Sequence, residues 1–509
     1  MNRNTALAAV CAVLFLTFLD NTIIGVALAD MQTSLSASVP ALQWIVDGYM
    51  LAFTALMLTG GTLGDILGRK RVMLAGIVLF CGGSLLGALA TSSGVLIGAR
   101  VLMGVGAAAC EPGTLSLIRH IFPERRERAR ALGVWTAVSG VSIALGPVLG
   151  GLLVAAGGWQ YIFWFNVGFG LVVLLAAAAF VPESSDPEGR SLDGPGLAAG
   201  AIALIDVTFA VIEGERVGYH TWWVVLLFAV ALVAAVGFVF IERSVRDPVL
   251  RLSFFRIPAF AGSTAVGFAT SFGLFAVFYF TALYLQVVAA VSASRIALEF
   301  VAMTVAMVVA GIVAGAWTAA RGPRGPMTTG CVVAAGSLVG VAQLLNPHPS
   351  LLALGAVLAA TGCGLGLALV SVSAAVLNVV PAERSGMGAS TLNTSREFGG
   401  VLAIAILGAI VNGRLVSEMT HKLTALGVPA AYHSLIINAV THGGLPANVA
   451  AAAKQNPLIA ADLALATKVL AAATAAFGHG LEAALYLAAA ILLAGAVVAA
   501  ATTRSSPSA

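Results

Sequence analysis

The sequence predicts an all-α polytopic membrane protein with fourteen transmembrane helices. Of its 509 residues, 60% are hydrophobic and 9% are charged, and the mean hydropathy is +1.00. Soluble proteins carry about 25% charged residues, so a soluble fold is excluded. Apolar stretches of about 20 residues, the length of helix that crosses a bilayer, recur along the chain. Short segments between them hold most of the Lys and Arg residues.

The apolar stretches also predict the domain organisation. We predict a six-helix bundle at residues 1–181, a linker with an inserted helix pair at 182–258, and a second six-helix bundle at 259–502. Residues 412–477 interrupt the apolar pattern and are predicted as an outer loop with some surface helix. The predicted spans are 6–29, 44–64, 73–91, 95–118, 131–155, 161–181, 197–213, 221–241, 259–285, 297–319, 327–345, 350–380, 386–411 and 478–502.

The positive charges predict the orientation. With the N-terminus in the cytoplasm, the inner segments hold 18 Lys and Arg residues, whereas the short outer loops hold two, Arg216 and Arg295. Basic residues favour the cytoplasmic side in short loops, so both termini are predicted to be cytoplasmic. These loops explain the net charge of +4, and a nucleic-acid partner is not predicted. Arg outnumbers Lys 22 to 4, which is compatible with a GC-rich bacterial source and therefore with a bacterial inner membrane.

Several classes of chemistry have no motif in the chain. Five cysteines lie scattered in apolar spans without a CxxC pair, so neither a disulfide framework nor a metal site is predicted. The sequence has no G-K-[ST] phosphate loop, no H-E-x-x-H and no G-x-S-x-G. We therefore predict no cofactor and no enzymatic activity, and an ion gradient as the energy source.

An internal repeat relates the two predicted bundles. Residues 123–126 (Pro-Glu-Arg-Arg) correspond to 381–384 (Pro-Ala-Glu-Arg), and at the same offset residues 104 and 106, both glycine, correspond to glycines at 362 and 364. A weaker copy of segment 61–71 appears at 315–324, with Ala319 in the place of Asp65. Two packed repeats favour a central site near the membrane midplane.

A charged turn joins the second and third spans. It runs from Gly61 to Arg71 (Gly-Thr-Leu-Gly-Asp-Ile-Leu-Gly-Arg-Lys-Arg) in a sequence with few charges elsewhere. Its glycines, including Gly68, let two helices reverse tightly, and Asp65 and Arg69 keep the turn on the aqueous side.

The first carboxylate inside a span is Asp20. Such a group costs about 2.5 to 3.5 kcal/mol on insertion scales, so it is expected to face a cavity or a partner. Thr17, Asp20 and Asn21 share one helix face by their spacing. Asp20 is predicted to exchange a proton or bind a cation beside Thr17 and Asn21, and the alternative is a structural hydrogen-bonding Asp.

The fourth span carries two further charges on one stripe. Arg100 and Glu111 are eleven residues apart, which places them about 20° apart in azimuth and about 16 Å apart in height. Arg100 is predicted to pair with Asp20 and to tune its charge, and the alternative is a fixed ion pair that packs two helices. Glu111 lies beside Pro112 and is a second candidate for proton or cation binding.

The fifth span has small residues at four-residue intervals. Ser142, Gly146 and Gly150 form the stripe, Pro147 introduces a bend and Gly151 follows. A stripe of this kind lets another helix approach closely.

The remaining candidates are acids within the spans or at their mouths, and wall residues for cation binding. Asp206 lies on the seventh span, Glu299 near the outer end of the tenth, and Glu397 on the thirteenth beside Arg396, whose charge could satisfy it locally. Aromatic faces attract desolvated cations, although they also anchor helices at the interface. The predicted cavity wall comprises Trp44, Tyr279, Tyr284 and Gln286.

Segment 61–71 resembles the G-x-L-x-D-x-x-G-R-K-x loop of major facilitator superfamily transporters. Residues 146–151 (Gly-Pro-Val-Leu-Gly-Gly) resemble the G-x-x-x-G-P-x-x-G-G motif of drug exporters, with Gly140 offset from the usual first glycine. Further matches are the segment 19–22, Arg100 with the two glycines that follow it, and the segment 159–166. Together with fourteen spans, they make the whole chain similar to the fourteen-helix drug:proton antiporter family. Departures are Met103, Glu111 beside Pro112, and Glu397 where Gln is usual.

The resemblance implies the major facilitator fold and an alternating-access cycle. It implies that Asp65 with Arg69 latches the inner gate in the outward-facing state, and that the fifth helix is a rocker that resists proton leak. We therefore predict a proton-coupled antiporter in the lipid bilayer that exports amphipathic, cationic small molecules. One alternative is an exporter of one defined metabolite or lipid-like compound, and another is a membrane sensor or scaffold that transports nothing.

Overall fold

The computed structural model describes the chain except at residues 1, 38, 186–192, 246–247, 249, 290, 292, 347–348, 382–383, 427, 430–431, 434–435, 438–462 and 504–509. The described residues form fourteen long helices and no β-strand. Each long helix coincides with one of the fourteen predicted spans, so the predicted all-α polytopic fold is confirmed.

The long helices are numbered in chain order. The first bundle contains α1 (Arg3–Ile23), α2 (Val39–Leu67), α3 (Arg69–Ala88), α4 (Ser93–Ile121), α5 (Arg125–Gly157) and α6 (Gln160–Phe180). The inserted pair is α7 (Gly194–Val217) and α8 (Trp222–Ser244). The second bundle contains α9 (Pro258–Phe275), α10 (Ala293–Arg321), α11 (Arg324–Leu344), α12 (Leu351–Val379), α13 (Ser385–Ala425) and α14 (Leu463–Thr502).

Two of these helices continue through irregular turns. A 3₁₀ turn (Ile24–Ala27) and a short helix (Leu28–Leu35) extend α1, and a π-helical segment (Ala276–Thr281) and a short helix (Ala282–Val287) extend α9. Thirteen of the long helices contain a stretch long and apolar enough to cross a membrane. In α5 the apolar stretch is shorter, Val148–Gly157, but the helix itself has 33 residues and packs between α1 and α10.

The two bundles use the same helix pairings. In the first bundle α1 packs on α5 and α6, α2 on α4, and α3 on α4 and α6. In the second bundle α9 packs on α13 and α14, α10 on α12, and α11 on α12 and α14, which is the same pattern eight helices later. The bundles meet where α5 packs on α10 and α12, and where α2 and α4 pack on α13.

Glycines at equivalent positions make the close approaches within each bundle. A Cβ atom at Gly104 of α4 would collide with the carbonyl oxygen of Tyr49 on α2, and one at Gly362 of α12 would collide with that of Met303 on α10. Residues 106 and 364, also glycine, abut the backbones of α3 and α11 in the same way. The repeat that relates residues 104–126 to 362–384 is therefore visible in how the helices pack.

The inserted pair lies against the outside of the two bundles. Helix α7 packs on α2 and α13, and α8 packs mainly on α7. Trp44 of α2 stacks on Phe209 of α7 with ring centres 5.3 Å apart, and its Nε1 donates a hydrogen bond to Glu213 Oε1 at 3.2 Å. The side of α7 that faces the bundles is therefore held by aromatic and polar contacts near the predicted outer end of α2.

The last two helices extend into the segment predicted as an outer loop. Helix α13 continues to Ala425 and α14 begins at Leu463, whereas the spans were expected to end at 411 and to begin at 478. Val411, Leu415, Met419 and Leu423 recur every four residues on α13 and are buried. Polar residues between them lower the mean hydropathy, so an average over a window of residues missed this apolar stripe. Residues 438–462 of the predicted loop lie outside the described residues.

Candidate functional site

Side chains from α1 and α4 form an ion pair inside the first bundle. Arg100 Nη1 donates a hydrogen bond to Asp20 Oδ2, and both side chains are 0% exposed. Buried charges are tolerated only where a partner of opposite charge and further hydrogen bonds compensate the lost hydration. The pairing that the sequence predicted for Arg100 is thus a direct contact in the structure.

Three further groups hold this pair in place. Asn166 Nδ2 of α6 donates to Asp20 Oδ1 at 2.6 Å, and Arg100 Nε donates to the Ile45 carbonyl oxygen at 2.9 Å. The guanidinium carbon of Arg100 lies 4.4 Å from the centre of the Tyr49 ring, a cation–π contact. Asp20, Arg100, Asn166 and Tyr49 are called the Asp20 cluster below.

The Asp20 cluster retains unused hydrogen-bonding capacity. Arg100 Nη2 and Asn166 Oδ1 have no hydrogen-bond partner among the described residues, although both atoms are buried. Thr17 closes the cluster from α1, since its carbonyl oxygen accepts a hydrogen bond from the Tyr49 hydroxyl at 3.2 Å. The predicted neighbour Asn21 is half-buried beside them.

Sequence reasoning did not select Asn166 or Tyr49 as site residues. An amide within an apolar span was the available signal for Asn166, because such a group needs a polar partner in the membrane. Tyr49 gave no distinct signal, since aromatic residues are common in apolar spans.

A second group of charges lies between the bundles. Glu111 of α4 in the first bundle interacts electrostatically with Arg396 and Glu397 of α13 in the second. Their exposed fractions are 1%, 7% and 8%, respectively. These three residues are called the inter-bundle cluster.

Trp135 of α5 connects the two halves of the inter-bundle cluster. The Arg396 guanidinium carbon lies 5.8 Å from the centre of the Trp135 ring. The Trp135 Nε1 donates to Thr114 Oγ1 at 3.1 Å, and Thr114 Oγ1 donates to the Glu111 carbonyl oxygen at 2.6 Å. The position of the Arg396 charge is therefore tied to the backbone of α4 beside Glu111.

The two charges that share a stripe on α4 have different partners. Arg100 pairs within its own bundle, whereas Glu111 faces the other bundle. Their predicted separation of about 16 Å along the helix explains this, because they lie at different depths. The sequence left open that the charge of Arg396 alone compensates Glu397. In the structure, Glu111 of α4 also interacts electrostatically with both residues.

The predicted cytoplasmic ends of the bundles are joined by Asp65. Its carboxylate accepts hydrogen bonds from the backbone N–H groups of Gly386 at 3.0 Å and Met387 at 2.9 Å, in the first turn of α13. The unpaired N–H groups of a helix N-terminus and its dipole favour an anion at this position. Gly61, one turn earlier on α2, permits the approach, since a Cβ there would collide with Ser390.

Two arginines make the complementary contact at the end of α12. Arg119 of α4 donates to the carbonyl oxygens of Leu377 and Val380, and Arg128 of α5 donates to Asn378 Oδ1. Cations are favoured at a helix C-terminus, where carbonyl groups lack partners. Asp65, Arg119 and Arg128 are called the inner seal.

Arg69 orients the acid of the inner seal. Its Nη2 and Nε donate to Asp65 Oδ1 at 2.7 and 2.9 Å, and its Nη1 donates to Ser184 Oγ at 2.7 Å. Gly68 has a φ of 108°, a left-handed conformation that a residue with a side chain rarely adopts, and lets α3 begin at once after α2. The turn, α3 and the segment after α6 are thereby fixed together.

The small residues of α5 contact α1. A Cβ atom at Gly146 would collide with Thr22 of α1, and one at Gly150 would collide with Ile23 of α1 and with Val26 of its 3₁₀ extension. Pro147 lies between them in the helix, and Gly151 has no neighbour within 4 Å of a would-be Cβ. The stripe therefore permits close packing within the first bundle, next to the Asp20 cluster.

Three of the predicted wall residues have different surroundings in the structure. Trp44 is turned toward α7, as described above. Tyr284 is buried against Phe477 in the core of the second bundle, with ring centres 6.3 Å apart, whereas Tyr279 is 49% exposed. The side chain of Gln286 lies outside the described residues.

Two predicted acids lie apart from both clusters. Asp206 is half-buried on α7, and Glu299 is half-buried near the start of α10, where it faces Gly355 of α12. Among the described residues, no hydrogen bond or ion pair joins either acid to Asp20 or Glu111.

A family model described as Major Facilitator Superfamily matches residues 10–404. The chain belongs to the Major Facilitator Superfamily. It is therefore a multi-pass membrane protein of a family of small-molecule transporters.

Relatives in this superfamily carry names that refer to drug resistance. The chain is 32% identical to Multidrug resistance protein Stp of Mycobacterium tuberculosis, over 86% of this chain and 81% of that protein. It is 30% identical to Multidrug efflux pump LfrA of Mycolicibacterium smegmatis, over 97% and 95%. It is 32% identical to the Methylenomycin A resistance protein of Streptomyces coelicolor, over 81% and 87%.

The fold is also similar to that of a solved major facilitator structure. The crystal structure of the human organic anion transporter MFSD10 superposes with a TM-score of 0.59 and covers 97% of this chain and 100% of that one. The sequences are 14% identical, so the similarity concerns the fold alone.

Proposed function

We propose that this chain exports amphipathic, cationic compounds across a bacterial cytoplasmic membrane in exchange for protons. The observation that carries the proposal is the fully buried Asp20 carboxylate, held by Arg100 and Asn166. A guanidinium in contact with a carboxylate favours its ionised form, so we infer that the Arg100–Asp20 contact opens during the cycle. The released carboxylate can then accept a proton or attract a cationic substrate. Proton and substrate would then compete for Asp20, which is the condition for exchange.

The relatives support export of drugs as the direction and class of transport. Their names refer to multidrug resistance, multidrug efflux and resistance to an antibiotic. Resistance by a transporter requires that the compound leaves the cell. The absence of a nucleotide-binding motif in the sequence supports an ion gradient as the energy source.

The contacts between the bundles support an alternating-access cycle. The inner seal joins the bundles at the ends predicted to be cytoplasmic, and the bias of basic residues toward those segments supports cytoplasmic termini. Opening of the inner seal would admit the compound from the cytoplasm, and closing it would commit the compound to the outside. The proposed cycle assigns no step to the candidate acids Asp206 and Glu299.

The proposal is tested by proton flux in inside-out vesicles that contain the purified protein. Addition of a lipophilic cation to native vesicles should drive a proton flux that is lost in Asp20→Asn. Glu418→Gln is the control. Glu418 lies on the extended end of α13, where it pairs with His479 of α14, and it belongs to neither charge cluster. A native flux that persists in Asp20→Asn would refute the role of Asp20, and no flux with any cation would refute cation–proton exchange.

A narrow substrate range is the second candidate. The relative from Streptomyces coelicolor is named for resistance to one compound, methylenomycin A. Competition among structurally unrelated cations separates the two candidates. Mutual inhibition indicates a broad exporter, whereas transport of one compound without competition indicates an exporter of a defined metabolite.

A further inference from the structure

Glu111 of α4 and Glu397 of α13 come from opposite bundles, are both buried, and lie on helices that pack against each other. Among the described residues, one positive charge acts on both carboxylates, that of the Arg396 guanidinium. We propose that these two carboxylates form a second proton site, which holds one proton between them while the inner seal is closed. Its role in transport rests on the proton exchange proposed above, whereas its proton content does not.

The charge balance carries the proposal. If Glu111 and Glu397 were both ionised beside the Arg396 guanidinium, the inter-bundle cluster would carry one net negative charge in a buried region. Glu111 Oε2, Glu397 Oε2 and Arg396 Nε are buried and have no hydrogen-bond partner among the described residues. Uncompensated buried charge is costly, and each of these atoms lacks the hydrogen bond that would offset the cost. One proton makes the cluster neutral and supplies a donor for an unpartnered carboxylate oxygen.

The neighbouring groups do not supply the missing charge. Among the described residues, the charges that act on Glu111 are those of Glu397 and Arg396. Tyr49 of α2 and Cys110 of α4 also lie within electrostatic range, but both are neutral hydroxyl and thiol groups near pH 7. Trp135 contributes a ring face to Arg396 and no charge.

Helices at this contact carry further buried polar groups that have no hydrogen-bond partner among the described residues. Both side-chain polar atoms of Asn393, one turn before Glu397, are buried without a hydrogen-bond partner among the described residues. Thr54 of α2 and Thr136 of α5 are buried in the same condition. The Asn393 amide, one helical turn from Glu397, can stabilise a proton held by the two carboxylates.

The position between the bundles links the proton to the transport cycle. Because Glu111 and Glu397 belong to different bundles, relative rotation of the bundles changes the distance between them. Separated carboxylates cannot share a proton, so opening the inner seal should release it. Asp20 pairs with Arg100, which lies about 16 Å from Glu111 along α4, so the two proton sites are separate. With one proton at Asp20 and one between Glu111 and Glu397, the chain would carry two protons per cycle.

The proton content is tested by infrared spectroscopy of the full-length protein in lipid. The carbonyl stretch of a protonated carboxyl group is recorded near neutral pH for the native chain, Glu111→Gln, Glu397→Gln, Asp20→Asn and the control Glu418→Gln. A shared proton predicts that the signal is lost in Glu111→Gln and equally in Glu397→Gln, because the remaining carboxylate then pairs with Arg396 and ionises. The signal should persist in Asp20→Asn and Glu418→Gln.

Other outcomes overturn the proposal. Loss of the signal in only one of the two Gln variants would assign the proton to one residue, and absence of the signal in the native chain would remove the site. Both Gln substitutions conserve shape, and Gln is usual at position 397 in the family that the sequence resembles, so folding is expected to be retained. Size-exclusion chromatography checks it.

The role in transport is tested by counting protons per exported cation. The native chain should move two, and each of the two Gln variants should move one. An unchanged count in those variants would overturn the coupling role. If the native chain shows no substrate-driven proton flux, the proposed function fails, while the infrared result still decides whether the shared proton exists.

Discussion

The Asp65 carboxylate of α2 accepts a hydrogen bond from the backbone N–H of Met387 at 2.9 Å, across the boundary between the bundles. The acid therefore acts as an N-terminal cap for a helix that lies more than 300 residues away in sequence. Because the cap joins two bundles that are proposed to move, it contributes to one conformational state rather than to the stability of either bundle.

Replacement of Asp65 should favour the state with an open inner seal. Asp65→Asn removes the negative charge at the α13 N-terminus, worth about 2 kcal/mol in a buried geometry. This corresponds to a shift of roughly 30-fold in the equilibrium between the two states. Distances between spin labels on the cytoplasmic ends of α4 and α12 measure it. An unchanged distance distribution would mean that Asp65 does not hold the bundles together.

Replacement of the two arginines of the inner seal should act in the same direction. Arg119→Gln with Arg128→Gln removes the positive charges at the end of α12, while Gln can still donate a hydrogen bond. We expect a smaller shift than for Asp65→Asn, about 1 kcal/mol, because Gln retains part of the contact. The same distance measurement applies. A shift toward the closed state would contradict the role assigned to these arginines.

Two glycine substitutions should differ in their consequences. At Gly61, a Cβ collides with Ser390 of the other bundle, so Gly61→Ala should favour the state in which the bundles are apart. At Gly104, a Cβ collides with the Tyr49 carbonyl oxygen in the same bundle, so Gly104→Ala should lower the melting temperature instead. Gly151→Ala is the control, because no atom lies within 4 Å of its Cβ. If Gly61→Ala and Gly104→Ala changed the separation of the bundles and the melting temperature to the same extent, the result would be inconsistent with this structure.

Asn166 should matter for export through its contact with Asp20. Asn166→Leu leaves Asp20 Oδ1 without its donor, and an unsatisfied buried acceptor costs about 1 to 3 kcal/mol. Reduced export and reduced thermal stability are expected, and Asn166→Gln should restore part of the export if its amide still reaches the carboxylate. Transport in vesicles and thermal unfolding in detergent measure the two effects. Native export in Asn166→Leu would show that the Asp20 charge does not need this hydrogen bond.

Much of the fold could be predicted from local properties of the sequence. Hydropathy over about 20 residues located all fourteen spans, because the bilayer imposes a fixed length on each helix. The extended ends of α13 and α14 were missed. On α13 the buried stripe, which includes Met419 and Leu423, is diluted by polar residues. The charged turn at Asp65 and Arg69 was recognised because charge is rare elsewhere in the chain.

The sequence alone determined which residues are unusual in a membrane, and only the tertiary structure decided which of them meet. Arg100 and Glu111 share a stripe on one helix, yet one pairs with Asp20 in its own bundle and the other faces Arg396 and Glu397. Helical periodicity gives the direction of a side chain relative to its own helix, but the neighbouring helix depends on packing among segments far apart in sequence. For the same reason, an aromatic residue such as Tyr284 could not be distinguished as core or cavity wall before the helices were assembled.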